Sequence, residues 1–194
     1  EPVTASSLRA SLIQQLGLFG DEDVIKTCRQ NFDKYLKNPA SVPPDLRAPT
    51  FAIVMRYGDA STWQKLHELG VKTASTEEKQ YYYEALGNAI DPKLIAQTIA
   101  LALTDELPTS RAALLLPFVA RQGEHPKLVW EFAQENMKAL LTKQDAVGVN
   151  GFAAGLFPFF STLKDVETLE RYAKTKLPAE ARTAVAKASD EIGF

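Results

Sequence analysis

The chain has 194 residues, 45% of them hydrophobic and 24% charged, which suits a globular domain with a sizeable core and excludes a disordered or membrane-embedded chain. Its 22 basic and 24 acidic residues leave a net charge of −2, which argues against a basic nucleic-acid-binding surface. No stretch approaches the roughly 20 consecutive apolar residues of a membrane span, so no membrane partner is expected.

The sequence starts at Glu1-Pro2 without methionine or leader and reads as a piece of a longer chain. Thr4 to Phe19 has helical periodicity, with Leu8, Leu12, Ile13 and Leu16 on one face and a stop at Gly20. Asp21 caps a second helix carrying Val24, Ile25, Cys28, Phe32, Tyr35 and Leu36, which Asn38-Pro39 ends. Cys28 is the only cysteine, so no internal disulfide can form, and its place in this stripe predicts a buried thiol.

Pro43 to Leu69 predicts a helix, a stop at Tyr57-Gly58, a cap at Asp59 or Ser61, and a second helix folding back. Ser75-Thr76-Glu77-Glu78 reads as a capping box, with Ser75 and Glu78 satisfying backbone N–H groups reciprocally. The helix that follows holds Tyr81, Tyr82 and Tyr83; three consecutive side chains cannot share one face, so at least one is expected outside. Asp91-Pro92 opens a helix with Leu94, Ile95, Ile99 and Leu103.

One apolar helix is expected over Arg111 to Arg121, stopped by Gly123. His125-Pro126 opens the next, with Leu128, Val129 and Phe132. Ala146 to Phe160 is nearly all apolar and predicts a buried helix, Thr162 or Ser161 caps another, and Pro178 opens the last.

These units repeat loosely. Second-helix starts at Asp21, Asp59, Asp91, His125 and Thr162 are separated by 38, 32, 34 and 37 residues. Each is followed four residues later by Ile25, Trp63, Ile95, Val129 or Val166. Such spacing predicts an all-α domain over residues 1–194, built of antiparallel helix pairs stacked as a HEAT- or armadillo-like repeat. An irregular helical bundle is the alternative.

Catalytic patterns are missing. His67-Glu68 starts like a zinc-peptidase helix motif, but Val71 stands where the second histidine is needed. His125 occupies a helix start and is expected to cap or pack there. Gly148 to Gly155 follows no strand and lacks the Gly-Lys-Ser/Thr ending of a phosphate loop, so close helix approach is expected instead. Phe157-Pro158-Phe159-Phe160 reads as core. Asp21-Glu22-Asp23 suits the first turn of a helix rather than a metal. No catalytic, cofactor-binding or metal-ligating residue is assigned in this chain.

Leu46-Arg47-Ala48-Pro49, Arg56-Tyr57-Gly58-Asp59 and Thr62-Trp63 form the start of an ordered series. Glu77-Glu78-Lys79, Leu86-Gly87, Asp91-Pro92, Leu101-Ala102-Leu103, Trp130-Glu131-Phe132 and Glu135-Asn136 continue it. The series resembles the C-terminal helical domain of zinc aminopeptidases related to the puromycin-sensitive and endoplasmic-reticulum enzymes. Met137 stands where that family usually has tryptophan, and Asn88-Ala89 replaces a more basic stretch.

The resemblance implies a HEAT-like domain that closes the peptide cavity over a separate catalytic domain of the same polypeptide. Zinc and the hydrolytic residues would belong to that domain, and peptide substrates would meet this one on its concave face. The parent would remove N-terminal residues from peptides; this piece alone would bind no zinc and hydrolyse nothing. A soluble, cytoplasmic location is favoured. The rival is a stand-alone helical-repeat scaffold for a protein partner. If the chain is a piece, its first helix should expose Leu8 or Leu12.

Overall fold

A computed structural model describes residues 3–112, 114–122, 125–143, 148, 151–156 and 162–192. Its regular structure is helical throughout these residues. In order come α1 (Val3–Leu18), α2 (Glu22–Lys37), α3 (Pro44–Arg56), α4 (Ala60–Lys72), α5 (Thr76–Leu86) and α6 (Pro92–Ala100). Then follow α7 (Thr109–Ala112), α8 (Leu115–Gln122), α9 (Pro126–Leu141), α10 (Leu163–Lys176) and α11 (Ala179–Ile192). The backbone divides into two compact units, Glu1–Thr98 and Ile99–Phe194.

Local chemistry sets the helix starts. The carboxylate of Asp21 accepts the N–H of Val24 at 2.9 Å, and that of Asp59, not Ser61, accepts the N–H of Thr62 at 2.9 Å. All five expected starts close the same first turn. The N–H groups of Ile25, Trp63, Ile95, Val129 and Val166 donate to the carbonyls of Asp21, Asp59, Asp91, His125 and Thr162 at 2.9–3.3 Å. Thr162 caps α10 by accepting the N–H of Asp165 at 3.3 Å; Ser161 lies outside the described residues.

The capping box at Ser75 is half as expected. Ser75 Oγ accepts the Glu78 N–H at 3.2 Å, but the reverse bond is relayed. Ser75 N–H donates to Thr73 Oγ1 at 3.2 Å, and that hydroxyl donates to Glu78 Oε2 at 2.8 Å. Thr73 comes close enough to take the place of the direct contact.

Two helix expectations fail. The helix over Arg111 to Arg121 is split, with α7 ending at Ala112 and α8 starting at Leu115. Pro117 supplies the reason: it has no N–H for the carbonyl four residues earlier, and its ring needs that space. Ala146 to Phe160 is not one helix either, because Ala153 turns out of α-helical geometry into a 3₁₀ turn at Ala154–Leu156. The buried character holds there for Phe152, Ala153, Ala154 and Leu156. Gly123, much of 146–150 and Phe157-Pro158-Phe159-Phe160 lie outside the described residues.

In the first unit α3 is central, packing against α1, α2 and α5, while α4 packs on α5. Its core gathers Phe32, Phe51, Ile53, Met55, Leu66, Tyr83 and Leu86, all buried. Close contact depends on glycines. A Cβ on Gly17 of α1 would lie 2.5 Å from Ile53 Cδ1, and one on Gly70 of α4 would lie 2.5 Å from Tyr83 Cε2. Gly20, which ends α1, has φ +87°, a left-handed conformation that glycine adopts freely.

In the second unit α8 packs on α9 and α10 on α11. Leu116, Leu140, Leu156 and Leu169 are buried in its core.

One face of α1 has no cover. Leu8, Leu12, Leu16 and Phe19 are 61, 52, 45 and 86% exposed. Their spacing of four, four and three residues makes a single apolar stripe.

Candidate functional site

The two histidines lie in separate settings. The His67 ring lies tilted at 4.8 Å from the Trp63 ring and meets Tyr83 edge-on at 5.9 Å. His125 is the N-cap residue of α9, yet its side chain makes no cap hydrogen bond. Among the described residues no group of three or more His, Cys, Asp or Glu side chains stands ready to hold a metal.

Cys28 is buried as expected, 1% exposed. Burial pushes its thiol up to about 11, against a smaller opposing effect of a hydrogen bond with Thr50. At neutral pH the thiol stays protonated and unreactive.

Of the glycine-rich segment, Gly151 and Gly155 can be placed, while residues 149 and 150 lie outside the described residues. Among the described residues a Cβ on Gly151 or Gly155 would meet nothing within 4 Å, so neither marks a close contact between described helices. That task falls to Gly17 and Gly70.

A cavity of the first unit opens beside the start of α3 and the first turns of α5. It measures about 370 Å³, and Tyr35, Asp45, Arg47, Glu77, Tyr81 and Tyr82 contribute to its lining. Of the three tyrosines, Tyr82 and Tyr83 are buried and Tyr81 is 38% exposed, which settles which one lies outside. Helical periodicity puts Glu77 and Tyr81 one turn apart, and the Tyr81 hydroxyl donates to Glu77 Oε1 at 2.9 Å.

Arg47 ties the wall together. Its guanidinium donates to the carbonyls of Val42 at 3.1 Å and Pro39 at 3.0 Å. It also lies 5.4 Å over the Tyr35 ring and 3.9 Å from Glu78. Beneath it, Phe51 stacks on Tyr82 at 5.3 Å and meets Tyr35 edge-on at 4.9 Å. Tyr35 Oη and Tyr82 Oη are 2.5 Å apart, and burial followed by this bond pushes the Tyr82 phenol well up.

A second, more polar groove of about 400 Å³ is lined by Arg29, Asp33, Asp59 and Lys65 among others. Its charges balance. Arg29 donates to the Tyr57 carbonyl at 3.2 Å, and the bonds from Thr62 hold the Asp59 carboxyl below its usual range. In the sequence Glu77 stands in the capping stretch and in the ordered series, and neither it nor Asp45 is marked there as a ligand-facing residue. Their convergence depends on α3 and α5 packing side by side, for which no local signal exists.

A family model for the ERAP1-like C-terminal domain matches residues 1–193. Aminopeptidase M1 of Arabidopsis thaliana is 27% identical over 183 residues, covering 91% of this chain and 21% of the relative. Glutamyl aminopeptidase of Mus musculus is 25% identical over 138 residues, covering 70% of this chain and 15% of the relative. Puromycin-sensitive aminopeptidase of Caenorhabditis elegans is 25% identical over 138 residues, covering 70% and 14%. The chain thus spans about a fifth or less of the length of these relatives. With an all-helical structure and a match over nearly its whole length, the chain belongs to the ERAP1-like C-terminal domain family.

Proposed function

We propose that this chain is the non-catalytic C-terminal domain of a zinc aminopeptidase that removes N-terminal residues from peptides. Its helix pairs stack in a HEAT-like manner and wall off the peptide cavity of a separate catalytic domain in the same polypeptide. Peptide substrates meet its concave face, and the zinc belongs to the catalytic domain.

The observation that carries the reading is the family match over residues 1–193, set beside aminopeptidases of which the chain covers 14–21%. Two features of the molecule support it. The side-by-side packing of α1 on α3 and α3 on α5 suits stacked pairs, since these are the first helices of successive units. The uncovered stripe from Leu8 to Phe19 suits a domain that continues into more protein. No helix among the described residues is long and apolar enough to cross a membrane.

The test is an assay of the full-length polypeptide on peptides of graded length, with and without a zinc chelator. Chelator-sensitive release of N-terminal residues, at rates that depend on peptide length, is expected. The 194-residue chain alone should release none. Absence of any such activity in the full-length protein would overturn the proposal and favour a stand-alone scaffold.

A further inference from the structure

We infer that the pocket beside α3 and α5 holds the basic side chain, lysine or arginine, of a bound peptide. This rests on the peptide-facing role proposed above and names what the domain recognises.

Charge comes first. Three carboxylates, Asp45, Glu77 and Glu78, line the pocket against one guanidinium, Arg47. That guanidinium is committed to two backbone carbonyls, to the Tyr35 ring and to Glu78. Asp45 accepts only the Ser6 hydroxyl at 2.6 Å, and Glu77 only the Tyr81 hydroxyl at 2.9 Å, among the described residues. Two carboxylates therefore share the pocket with hydroxyl partners and no cation. A positive ligand gains there and a negative one is repelled.

Shape comes second. The walls include the rings of Tyr35, Phe51, Tyr81 and Tyr82, and the volume of about 370 Å³ is ample for one long side chain. Lysine and arginine have an apolar stem below a charged head, which matches aromatic walls beneath a carboxylate rim. A small metal ion would leave the aromatic walls unused.

A third observation is independent of the carboxylates. Tyr35 and Tyr82, each 3% exposed, bring two hydroxyl protons to one shared hydrogen bond. Only one proton can lie between the two oxygens, and neither oxygen has another partner among the described residues. The second O–H, in a residue that lines the pocket, has no acceptor among the described residues. A peptide supplies both complements, a cationic side chain and a backbone carbonyl.

The probe is the blocked pentapeptide acetyl-Ala-Ala-Lys-Ala-Ala-amide, compared with its norleucine counterpart, titrated into the 194-residue chain and followed by NMR. The variant Asp45→Asn/Glu77→Gln keeps both hydroxyl contacts and removes both charges. Circular dichroism checks that it stays helical. Saturable binding of the lysine peptide is expected, at least tenfold tighter than the norleucine peptide and at least tenfold weaker in the variant. Equal binding of the two peptides, binding unaffected by the variant, or no binding would overturn the assignment. Peptidase activity of the full-length protein is a separate readout. If that persists while the lysine peptide fails, the pocket assignment falls and the aminopeptidase reading stands.

Discussion

Trp63 of α4 donates its indole N–H to Thr98 Oγ1 of α6 at 2.9 Å, and Thr98 is fully buried. The threonine hydroxyl passes the bond on to the Leu94 carbonyl at 2.9 Å. A ring at the fourth position after one helix start is thereby fastened to a helix of the next pair within the first unit. Thr98→Val keeps the shape and removes the acceptor, leaving the indole donor half-buried without a partner. A loss of about 1–3 kcal/mol is expected in denaturant unfolding, with Thr98→Ser recovering most of it.

Gly58 is held by space. A Cβ there would lie 2.6 Å from the backbone carbonyl oxygen of Val54, which cannot move without distorting α3. Gly58→Ala should cost about 1–3 kcal/mol, whereas Gly151→Ala, which meets none of the described residues, should stay within about 0.5 kcal/mol of the parent. Thermal unfolding of the two variants checks the contrast.

Cys28 gives a pH dependence of known sign. The thiol rises from the ordinary 9.0 to about 11 on folding, so between these values the unfolded chain has lost a proton that the folded chain retains. Stability should fall as pH rises through that window, and the contribution is fully present below pH 9. Cys28→Ala should flatten that part of the stability–pH curve, measured by urea unfolding. At pH 8 the native thiol should react with a maleimide far more slowly than in denaturant.

How much of this was legible can be said residue by residue. Helix starts at Asp21, Asp59, Asp91 and Thr162 were readable because they depend on a cap and the turn that follows it, and the start at His125 because proline follows at the first helical position. The burial of Cys28 followed from periodicity. The break at Leu114 was also written locally, in Pro117, and was outweighed by the run of leucines before it. The relay through Thr73 and the close contacts at Gly17 and Gly70 were not legible, because they depend on tertiary approach. The pocket was hidden for the same reason. Tyr35 and Tyr82 are 47 residues apart in sequence, and only the packing of α3 against α2 and α5 brings their hydroxyls together.

The uncovered stripe on α1 makes a separate prediction. Leu12→Cys, in a Cys28→Ala background, should react rapidly with a maleimide in the 194-residue chain, where Leu12 is 52% exposed. In the full-length protein the same position should be at least tenfold slower if further chain covers the stripe. Equal rates would mean that the stripe stays open or serves an outside partner.

The most direct test of the central claim is the mass of the native polypeptide in source cells, detected with an antibody raised against this chain. A species several times heavier than 21.4 kDa is predicted, with zinc-dependent aminopeptidase activity in the same immunoprecipitate. A species near 21.4 kDa would contradict a domain of a larger enzyme and point to a free-standing helical scaffold.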